Sequence, residues 1–585
     1  MNYLSLLNRD LNTINSINFN DKFIYLNREC NLKHWNTYFD DKNKIQLMIL
    51  GRPVIEVLDW LKFNKSEENF ITKFLIKKYI DLEINDFCNQ LNGAFSILVI
   101  DYNLNKLTII TDKLGIYPIY IYGIENFNSC QFSSNFNNLL DNINDKINVD
   151  TVSVAEFLKK GFIYHPNTFY EEIKTLDNGS YCIFDFNEKK ITKKKYFKVS
   201  AKPIYNFNYL VNELSKALLK SIERRTLNHF GKKTVFLSGG SDSRMILANS
   251  VDSNIDAITL YNQENHEIKI TKNIAQSLNI KHELIKRDEN YYLNSFDNSI
   301  QANSGRSLPI DDHFLNLRNH EKIKKCDTIL TGCYADWMFK GIALDRTQLS
   351  FLVIGKLPFY KLKAFNYNFF AKRTLLKKKY EKMIREREDQ IFLDKESHLN
   401  NEILRIFPLF QEETSSTRMT LQQFFPWDSI FSDNDVIKVY QQIPAKYKIN
   451  SEVYDKAVSN ILNKVKNIPH ANKKHKIGIN KYYGAIIYLA NMLKNKILRV
   501  IKIKKSNNSI AGDGSWINFK EYTNNKQIEM LWTNSQNLKL FEEMLDNNKL
   551  EFKEIINSDY QLIYKCIVLN KILYQEKKKS DNLKN

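Results

Sequence analysis

The stretch TVFLSGGSDSRMIL at residues 234–247 restricts the fold of this chain more than any other feature. An apolar run breaks at 238–243, which reads SGGSDS, and a second apolar run follows at once. This order predicts a strand, a glycine-rich turn and a helix, whose unpaired N–H groups and positive dipole end attract anions. Gly239 and Gly240 let a phosphate approach the backbone, and the serines add hydroxyl donors. The stretch therefore predicts a phosphate-binding turn.

Asp242 is the one carboxylate in this turn, and on its own it would repel a phosphate. Its presence is explained if a divalent cation lies between the carboxylate and the phosphate. A surface turn in which Asp242 caps the helix is the alternative interpretation. The turn is not the G-x-x-x-x-G-K-[ST] loop, because the loop lysine is missing.

Strands and helices alternate around this turn. A helical pattern at 208–225 precedes it, and strand-like runs at 233–237, 255–262 and 326–332 are separated by helical ones. Such alternation predicts a parallel α/β sheet, whose ligands bind at the carboxyl ends of the strands. We expect this domain to cover 207–500, with a mainly helical C-terminal part.

The first 200 residues have a different pattern. Alternating apolar runs at 93–102, 106–112 and 180–186 predict strands, with Gly, Asn and Asp between them. We therefore expect a β-rich, sandwich-like domain over 1–200 and a lysine-rich boundary at 187–206.

Composition limits the location and the partners. Seven scattered cysteines form no C-x-x-C pair, which disfavours a zinc site and suits a reducing compartment. The N-terminus lacks a signal-peptide pattern and the longest apolar run is too short to span a bilayer, so we expect a cytoplasmic protein. The net charge of +19 follows from lysine that is abundant throughout, and we expect no nucleic-acid partner. Residues 501–585 are expected to form a helical, basic extension, and 491–505 predicts a basic amphipathic helix, a candidate for peripheral membrane contact.

The turn matches the S-G-G-x-D-S loop of N-type ATP pyrophosphatases, and other segments narrow the resemblance to the asparagine synthetase-like family. LTGCYADWMFKG at 330–341 resembles that family's G-E-G-x-D-E-x-F-G-G stretch. Segments 425–449 and 467–479 resemble its P-F-L-D…P…K and P-x-x-I…R-x-K-x-G-F segments, and 91–122 resembles its G-x-F-A-F…R-D-x-x-G-x-x-P-L-Y-Y segment. The resemblance covers roughly residues 40–490.

This resemblance implies a fold and a chemistry. An N-terminal nucleophile (Ntn) hydrolase-like sandwich would precede an adenine-nucleotide α-hydrolase-like (PP-loop) domain that uses ATP and Mg²⁺. A carboxylate would become an adenylate as pyrophosphate leaves, and an amine would then displace AMP. The resemblance implies Asp242 and Asp336 as metal ligands, and Lys476 as the residue that neutralises negative charge during the attack. The residues implied in nucleotide binding are Leu237, Ser238, Gly239, Gly240, Asp242, Ser243, Thr259, Leu260 and Gly332.

The chain also departs from the family pattern. Glutamine-using members carry a nucleophilic Cys after the initiator Met, where this chain has Asn2, and their N-G-E segment reads LGR at 50–52. We expect the N-terminal domain to have lost glutaminase chemistry, because the internal Cys30 has no free α-amine to serve as base. Cys333 replaces the family's Glu or Tyr and is expected to be a buried thiol rather than a base. Trp337 replaces the second acidic residue and is expected to make the pocket bulkier.

These departures leave the substrates open. β-Lactam synthetases and lasso-peptide cyclases also lack the Cys and take the amine from the substrate, and asparagine synthetase-like proteins of surface-polysaccharide clusters form a further alternative. The expected partners are a small-molecule or peptide carboxylate, an amine donor and proteins of the same biosynthetic cluster. A pseudoenzyme that scaffolds a partner is the alternative of another class, but the retained turn, Asp336 and Lys476 argue against it. His266 and His282 are expected to be surface residues without a ligand.

Overall fold

The structure is a computed structural model of the 585-residue chain. It describes residues 1–8, 16–28, 32–62, 68–351, 355–363, 376–392, 397–411, 415–473, 475–479, 481–500, 517–535, 539–545 and 551–582. Cys30 and residues 501–516, which include the end of the predicted basic helix, lie outside these ranges.

The N-terminal region is rich in strands, as the alternating runs predict. Its strands are β1 (Tyr3–Leu7), β2 (Ser16–Phe19), β3 (Lys22–Asn27), β4 (Tyr38–Asp40), β5 (Ile45–Pro53), β6 (Gly93–Asp101), β7 (Lys106–Thr111), β8 (Tyr120–Tyr122), β9 (Gln131–Ser133), β10 (Ile173–Thr175), β11 (Ser180–Asp185) and β12 (Lys190–Lys195). Its helices are α1 (Val57–Leu61), α2 (Phe70–Asp81), α3 (Ile84–Gln90), α4 (Phe136–Asp141) and α5 (Thr151–Lys160). They form two six-stranded sheets, in the orders β10-β8-β9-β1-β3-β2 and β12-β11-β7-β6-β5-β4.

The two sheets pack face to face because their strands carry apolar residues on alternate sides. On β6, Leu98 and Ile100 share a core with Leu6 of β1 in the other sheet. Their neighbours Ile97 and Val99 face the opposite way and pack against residues of α2 and α3. Since α4 and α5 cover the outer face of the first sheet, the region has four layers, helix–sheet–sheet–helix.

The second region alternates helix and strand. Its elements in chain order are α6 (Phe207–Thr226), β13 (Lys233–Phe236), α7 (Asp242–Ala248), β14 (Ile255–Tyr261), α8 (His266–Leu278), β15 (His282–Lys286), α9 (Phe296–Ala302), α10 (Glu321–Lys324), β16 (Thr328–Thr331) and α11 (Ala335–Phe339). It continues with β17 (Arg346–Phe351), β18 (Gly355–Leu362), α12 (Lys378–Ile391), α13 (His398–Ile406), α14 (Ser416–Phe424), β19 (Trp427–Ser429), α15 (Asn434–Gln442), α16 (Ala445–Lys448), α17 (Glu452–Ile461) and α18 (Lys481–Val500).

A parallel sheet forms the centre of this region. Its five strands run in the order β15-β14-β13-β16-β19, and every neighbouring pair is parallel. The strand β13 that precedes the SGGSDS turn is the central strand, so the turn lies at the carboxyl edge of the sheet, where ligands of such sheets bind.

The C-terminal residues form helices, which the sequence also predicts. These are α19 (Phe519–Thr523), α20 (Lys526–Ser535), α21 (Lys539–Met544) and α22 (Phe552–Asn582), the last interrupted at Asp559. Tyr564, Ile567 and Val568 of α22 are buried in one apolar cluster with Phe157 of α5. This segment therefore packs on the N-terminal region. Within the described residues, no helix is both long and apolar enough to cross a membrane.

Two details correct the sequence-based predictions, and one adds to them. The lysine-rich boundary is partly a strand, because Lys190–Lys195 forms β12 and pairs along β11 at the edge of its sheet, where lysine side chains stay in solvent. The C-terminal part of the second region is mainly helical, as expected, and it also contains an antiparallel hairpin of β17 and β18. Trp337 does not enlarge a pocket wall, because it is buried in the main core.

Candidate active site

The SGGSDS turn connects β13 to α7 and is fixed by bonds within the turn and to α8. Ser243 Oγ accepts a bond from Ser238 N at 3.0 Å, which closes the turn on itself. Gly239 N donates to Glu267 Oε1 at 2.9 Å. A carboxylate from the first turn of α8 therefore accepts one of the backbone N–H groups that were predicted to bind phosphate. Glu267 was not predicted from sequence, and its spacing from the turn carries no recognisable signal.

Arg244, the residue after the turn, ties it to the segment 467–473. The guanidinium is buried and donates to the carbonyl oxygens of Ile468 at 2.6 Å, Pro469 at 2.9 Å and Gly239 at 3.1 Å. A Cβ on Gly239 would come within 2.5 Å of the Ala471 Cβ, so this segment lies directly on the turn. The two segments that resemble one family are therefore brought together.

The predicted metal carboxylates also lie together, but a lysine stands between them. Lys340 Nζ is 2.9 Å from Asp242 Oδ2 and 2.7 Å from Asp336 Oδ1. The other oxygen of Asp242 accepts from Tyr454 Oη at 2.6 Å and from Ser241 Oγ at 2.7 Å. Both carboxylates are thus engaged by side chains of this chain.

Electrostatics matches this geometry. Burial alone would raise the pKa of Asp242, but the Lys340 ammonium and the hydrogen bonds from Tyr454 and Ser241 hold that pKa below its ordinary value. Burial disfavours the charge of Lys340, yet Asp242 and Asp336 raise its pKa above the ordinary value. Lys340 and Asp242 therefore form a charged ion pair, and the more exposed Asp336 carboxylate is the second partner of Lys340.

The donor set fits Mg²⁺ poorly as folded. A magnesium ion demands oxygen ligands at about 2.0–2.1 Å, and the gap between the two carboxylates holds an ammonium instead. Within the described ranges, no group of three or more His, Cys, Asp or Glu residues is arranged to hold a metal. The assignment of Asp242 and Asp336 as metal ligands stays a prediction.

Lys476 follows the segment 467–473 and is exposed, and its Nζ donates to Asn467 Oδ1 at 2.9 Å. Beside Ala471, the His470 side chain also approaches the turn, and its Nε2 lies 3.8 Å from the position of a Cβ on Gly240. Its Nδ1 accepts from the backbone N–H groups of Asn472 and Lys473, so Nε2 carries the proton of the neutral ring. Burial and the nearby lysines lower the pKa of His470 to about 3, so the ring is neutral at pH 7.

The remaining predicted nucleotide-binding residues line the carboxyl edge of the sheet. Thr259 Oγ1 donates to the Leu237 carbonyl at 2.7 Å and lies 2.8 Å from His282 Nε2, and Leu260 is buried beside them. Gly332 follows β16, and a Cβ there would lie 2.3 Å from the Asp242 Cβ. These residues are gathered at one edge, although sequence alone did not reveal the contact between Gly332 and Asp242.

Both histidines singled out in the sequence have structural partners. His282 bonds Thr259, and His266 Nε2 lies 2.9 Å from the Ala471 carbonyl. Cys333 is partly buried, and burial raises the pKa of its thiol, although Arg418 beside it acts in the opposite direction. A raised thiol pKa disfavours the thiolate and agrees with the expectation that Cys333 is not a base.

Two N-terminal positions where the glutamine-using pattern places its chemistry make contacts with the second region instead. The Asn2 N–H donates to the Gln423 carbonyl at 2.7 Å, and its side-chain amide donates to the Gln422 carbonyl at 3.0 Å. The buried Arg52 donates to the carbonyl of Pro426 at 3.0 Å and stacks 4.4 Å from the centre of the Trp35 ring. These contacts join the two regions.

Two cavities open in the second region, one beside Lys340 and one at the ends of β14 and β15. One, of about 530 Å³, is lined by Lys340, Arg346, Tyr360, Asp455 and Lys473 among others. The other, of about 660 Å³, follows the ends of β14 and β15. Its lining combines Asn262, Arg287 and Tyr292 with Ile517 and Tyr522 of the C-terminal segment.

Comparisons with known proteins agree with this two-part architecture. Residues 65–197 match the glutamine amidotransferase domain family, and residues 213–458 match the asparagine synthase family. A Methanocaldococcus jannaschii protein, provisionally named a glutamine-hydrolysing asparagine synthetase, is 30% identical over 190 residues. The aligned part is 32% of this chain and only 36% of that protein. An NH3-dependent NAD synthetase of Campylobacter jejuni, solved with nitrate, shares 12% identity over 23% of this chain and 60% of its own, with a TM-score of 0.16.

The two matches define the class of the protein, which joins a glutamine amidotransferase-type domain to an asparagine synthase-type domain. The chain is similar to asparagine synthetase-like proteins over these matched residues. The amidotransferase match begins at residue 65, so Asn2 and Arg52 lie outside it.

Proposed function

We propose that this protein is an ATP-dependent carbon–nitrogen ligase that forms AMP and pyrophosphate. A substrate carboxylate attacks the α-phosphorus of ATP, the bond to the β-phosphate oxygen breaks, and pyrophosphate leaves. An amine then attacks the acyl carbon of the adenylate, AMP leaves, and the amine loses a proton to give the amide. The observation that carries the proposal is the position of the SGGSDS turn, at the carboxyl end of the central parallel strand. It lies beside Asp336 in the first turn of α11, the helix that follows the neighbouring strand β16.

The residues around the turn support distinct parts of this reaction. Gly240 leaves room for the pyrophosphate, and the neutral His470 offers an Nε2–H donor beside it. We propose that the nucleoside of ATP binds at the carboxyl edge of the parallel sheet, beside the hydrogen-bonded pair Thr259 and Leu237. Lys476 is exposed, and we propose that it approaches the adenylate only when substrate is bound, since active-site contacts often tighten on binding.

We further propose that the amine does not come from glutamine hydrolysed by this chain. Asn2 offers an amide in place of a nucleophile, and both Asn2 and Arg52 are engaged with backbone carbonyls of the second region. The amine is then free ammonia or a group on the substrate, as in a peptide or β-lactam cyclase or in amidation of a surface polysaccharide. The 660 Å³ cavity at the ends of β14 and β15 has room for such an acceptor.

A second candidate function is an ATP-binding or ligand-free scaffold. One observation favours it: the polar groups of the turn already have partners within the chain. Gly239 N donates to Glu267, and Lys340 pairs with Asp242 and Asp336. A scaffold of this kind would release no pyrophosphate with any acceptor.

The test is pyrophosphate exchange. The purified chain is incubated with ATP, labelled pyrophosphate and a panel of carboxylates, namely aspartate, short peptides and uronic acids. Label that enters ATP only with one carboxylate supports the ligase and identifies its acceptor. The matched control is Asp242→Asn, which should remove the exchange, and exchange that persists in this variant would contradict the assigned site.

A further inference from the structure

Lys340 has an unusual place among the residues at the turn. It follows α11 within the stretch FKG, where the family pattern quoted above has two glycines, so its ammonium is a feature of this chain. The Nζ atom lies within 3 Å of one oxygen on each of Asp242 and Asp336. The lysine therefore joins the carboxylate of the turn to the carboxylate that follows β16.

The position of the ammonium is built by several elements. Only 20% of the Lys340 side chain is exposed, against 63% for Asp336. The ammonium lies 5.2 Å from the centre of the Tyr454 ring, whose hydroxyl holds the opposite oxygen of Asp242. Gly341 adopts a φ of +61°, and a Cβ there would lie 2.8 Å from the Ile449 backbone, so the chain turns sharply just after the lysine. The low exposure of Lys340 and its contact with the Tyr454 ring distinguish this ion pair from one at the exposed surface.

The two carboxylates carry two negative charges toward a ligand that is itself a polyanion. A divalent ion between them would offset that repulsion, but the ammonium occupies the same gap. A lysine ammonium has three N–H donors, and two are directed at Asp242 and Asp336. The third donor remains for a phosphate oxygen, and lysine binds phosphate as a point charge in other phosphate loops.

We propose that Lys340 is a tethered cation that takes the place of a divalent metal at the pyrophosphate of ATP, so that the site binds the triphosphate group without a divalent ion between Asp242 and Asp336. This inference rests on the proposed function, because it assumes that the turn binds pyrophosphate. It assigns Lys340 to phosphate binding and makes Asp242 and Asp336 its anchors.

The test measures the binding of inorganic pyrophosphate and of a non-hydrolysable ATP analogue by calorimetry, once with excess EDTA and once with Mg²⁺. For the wild-type chain we expect dissociation constants that differ by less than threefold between the two conditions. Lys340→Met keeps the aliphatic stem and removes the charge, and we expect it to bind at least tenfold more weakly in EDTA and to recover with Mg²⁺. Lys269→Met removes an exposed lysine from α8 and serves as the matched control with unchanged binding.

A second readout does not depend on nucleotide. Without its ammonium, the carboxylate pair in Lys340→Met should accept Mn²⁺, so the melting temperature of the variant should rise with Mn²⁺ while that of the wild type should not. This inference is overturned if Mg²⁺ tightens binding by the wild-type chain tenfold or more, or if Lys340→Met binds the probes in EDTA as tightly as the wild type does. Neither result contradicts the proposed ligase function. A wild-type chain that binds neither probe in either condition contradicts the proposed function as well.

Discussion

Tyr454 Oη donates a hydrogen bond of 2.6 Å to Asp242 Oδ1 and so joins α17 to the first turn of α7. The tyrosine is fully buried, and its neighbour Phe339 stacks on it with ring centres 5.7 Å apart. Asp242 is therefore held by packed side chains before any ligand arrives. Preorganisation of this kind is what a charge-binding site requires, because reorientation during the reaction would be costly.

The first prediction concerns the two carboxylates. Asp242→Asn should lower the rate of adenylation about 100-fold or more, or about 3 kcal/mol of transition-state stabilisation, because the turn loses the charge that positions its cation. Asp336→Asn should act in the same direction. Pyrophosphate release measures both rates, and circular dichroism checks the fold.

Glu264→Gln, which changes an exposed carboxylate near α8, serves as the control for this series and should retain full activity. Near wild-type turnover in either aspartate variant would show that the site is placed wrongly.

The second prediction concerns the close approach of the turn and the 467–473 segment. Gly239→Ala should destabilise the chain by about 1–3 kcal/mol, because its Cβ would meet the Ala471 Cβ at 2.5 Å. The double variant Gly239→Ala/Ala471→Gly should recover most of the lost stability, since it removes the methyl group that is hit. Urea unfolding of the single and double variants measures both effects, and a double variant no more stable than Gly239→Ala would refute the packing argument.

The third prediction concerns the contact between the two regions. Arg52→Ala should lower the free energy of unfolding by about 2–4 kcal/mol, because it removes buried hydrogen bonds to backbone carbonyls and the stacking on Trp35. Lys62→Ala, at an exposed lysine of the same region, should change it by less than about 0.5 kcal/mol. Denaturant titration gives both values. Equal effects in the two variants would mean that Arg52 does not join the regions.

The fourth prediction concerns glutamine. The chain should release no ammonia from glutamine, with or without ATP, because Asn2 provides no nucleophile. Cys30→Ala should leave turnover unchanged, although Cys30 lies outside the described residues. Ammonia release that disappears in Cys30→Ala would contradict this prediction and show that the chain hydrolyses glutamine with Cys30.

Much of the fold follows from local pattern. The strands β6, β7, β11, β13 and β14 and the helix α6 lie within a few residues of the predicted segments, because each has a clear apolar period and marked ends. The β12 edge strand and the β17–β18 hairpin were missed, since their lysines and mixed composition carry no alternation. Strand β19 was missed because a three-residue strand has too few positions to show a period.

From local pattern alone, without the family resemblance that implied Asp336 and Gly332, the site was predictable only where neighbours in sequence form it. The SGGSDS turn is contiguous, so its glycines, serines and Asp242 were found together. Lys340 and Tyr454 reach Asp242 from residues 98 and 212 positions away, and Glu267 reaches Gly239 across the turn. Such contacts depend on the tertiary fold, and no local spacing in the sequence predicts them.

The most direct test of the account is the identity of the products from ATP. The purified chain is incubated with ATP and the carboxylate that supports pyrophosphate exchange, and the nucleotides and phosphates are separated by chromatography. We predict AMP and pyrophosphate in equal amounts, absent from the Asp242→Asn control, because the turn binds the departing pyrophosphate. ADP and orthophosphate as the products would contradict the account.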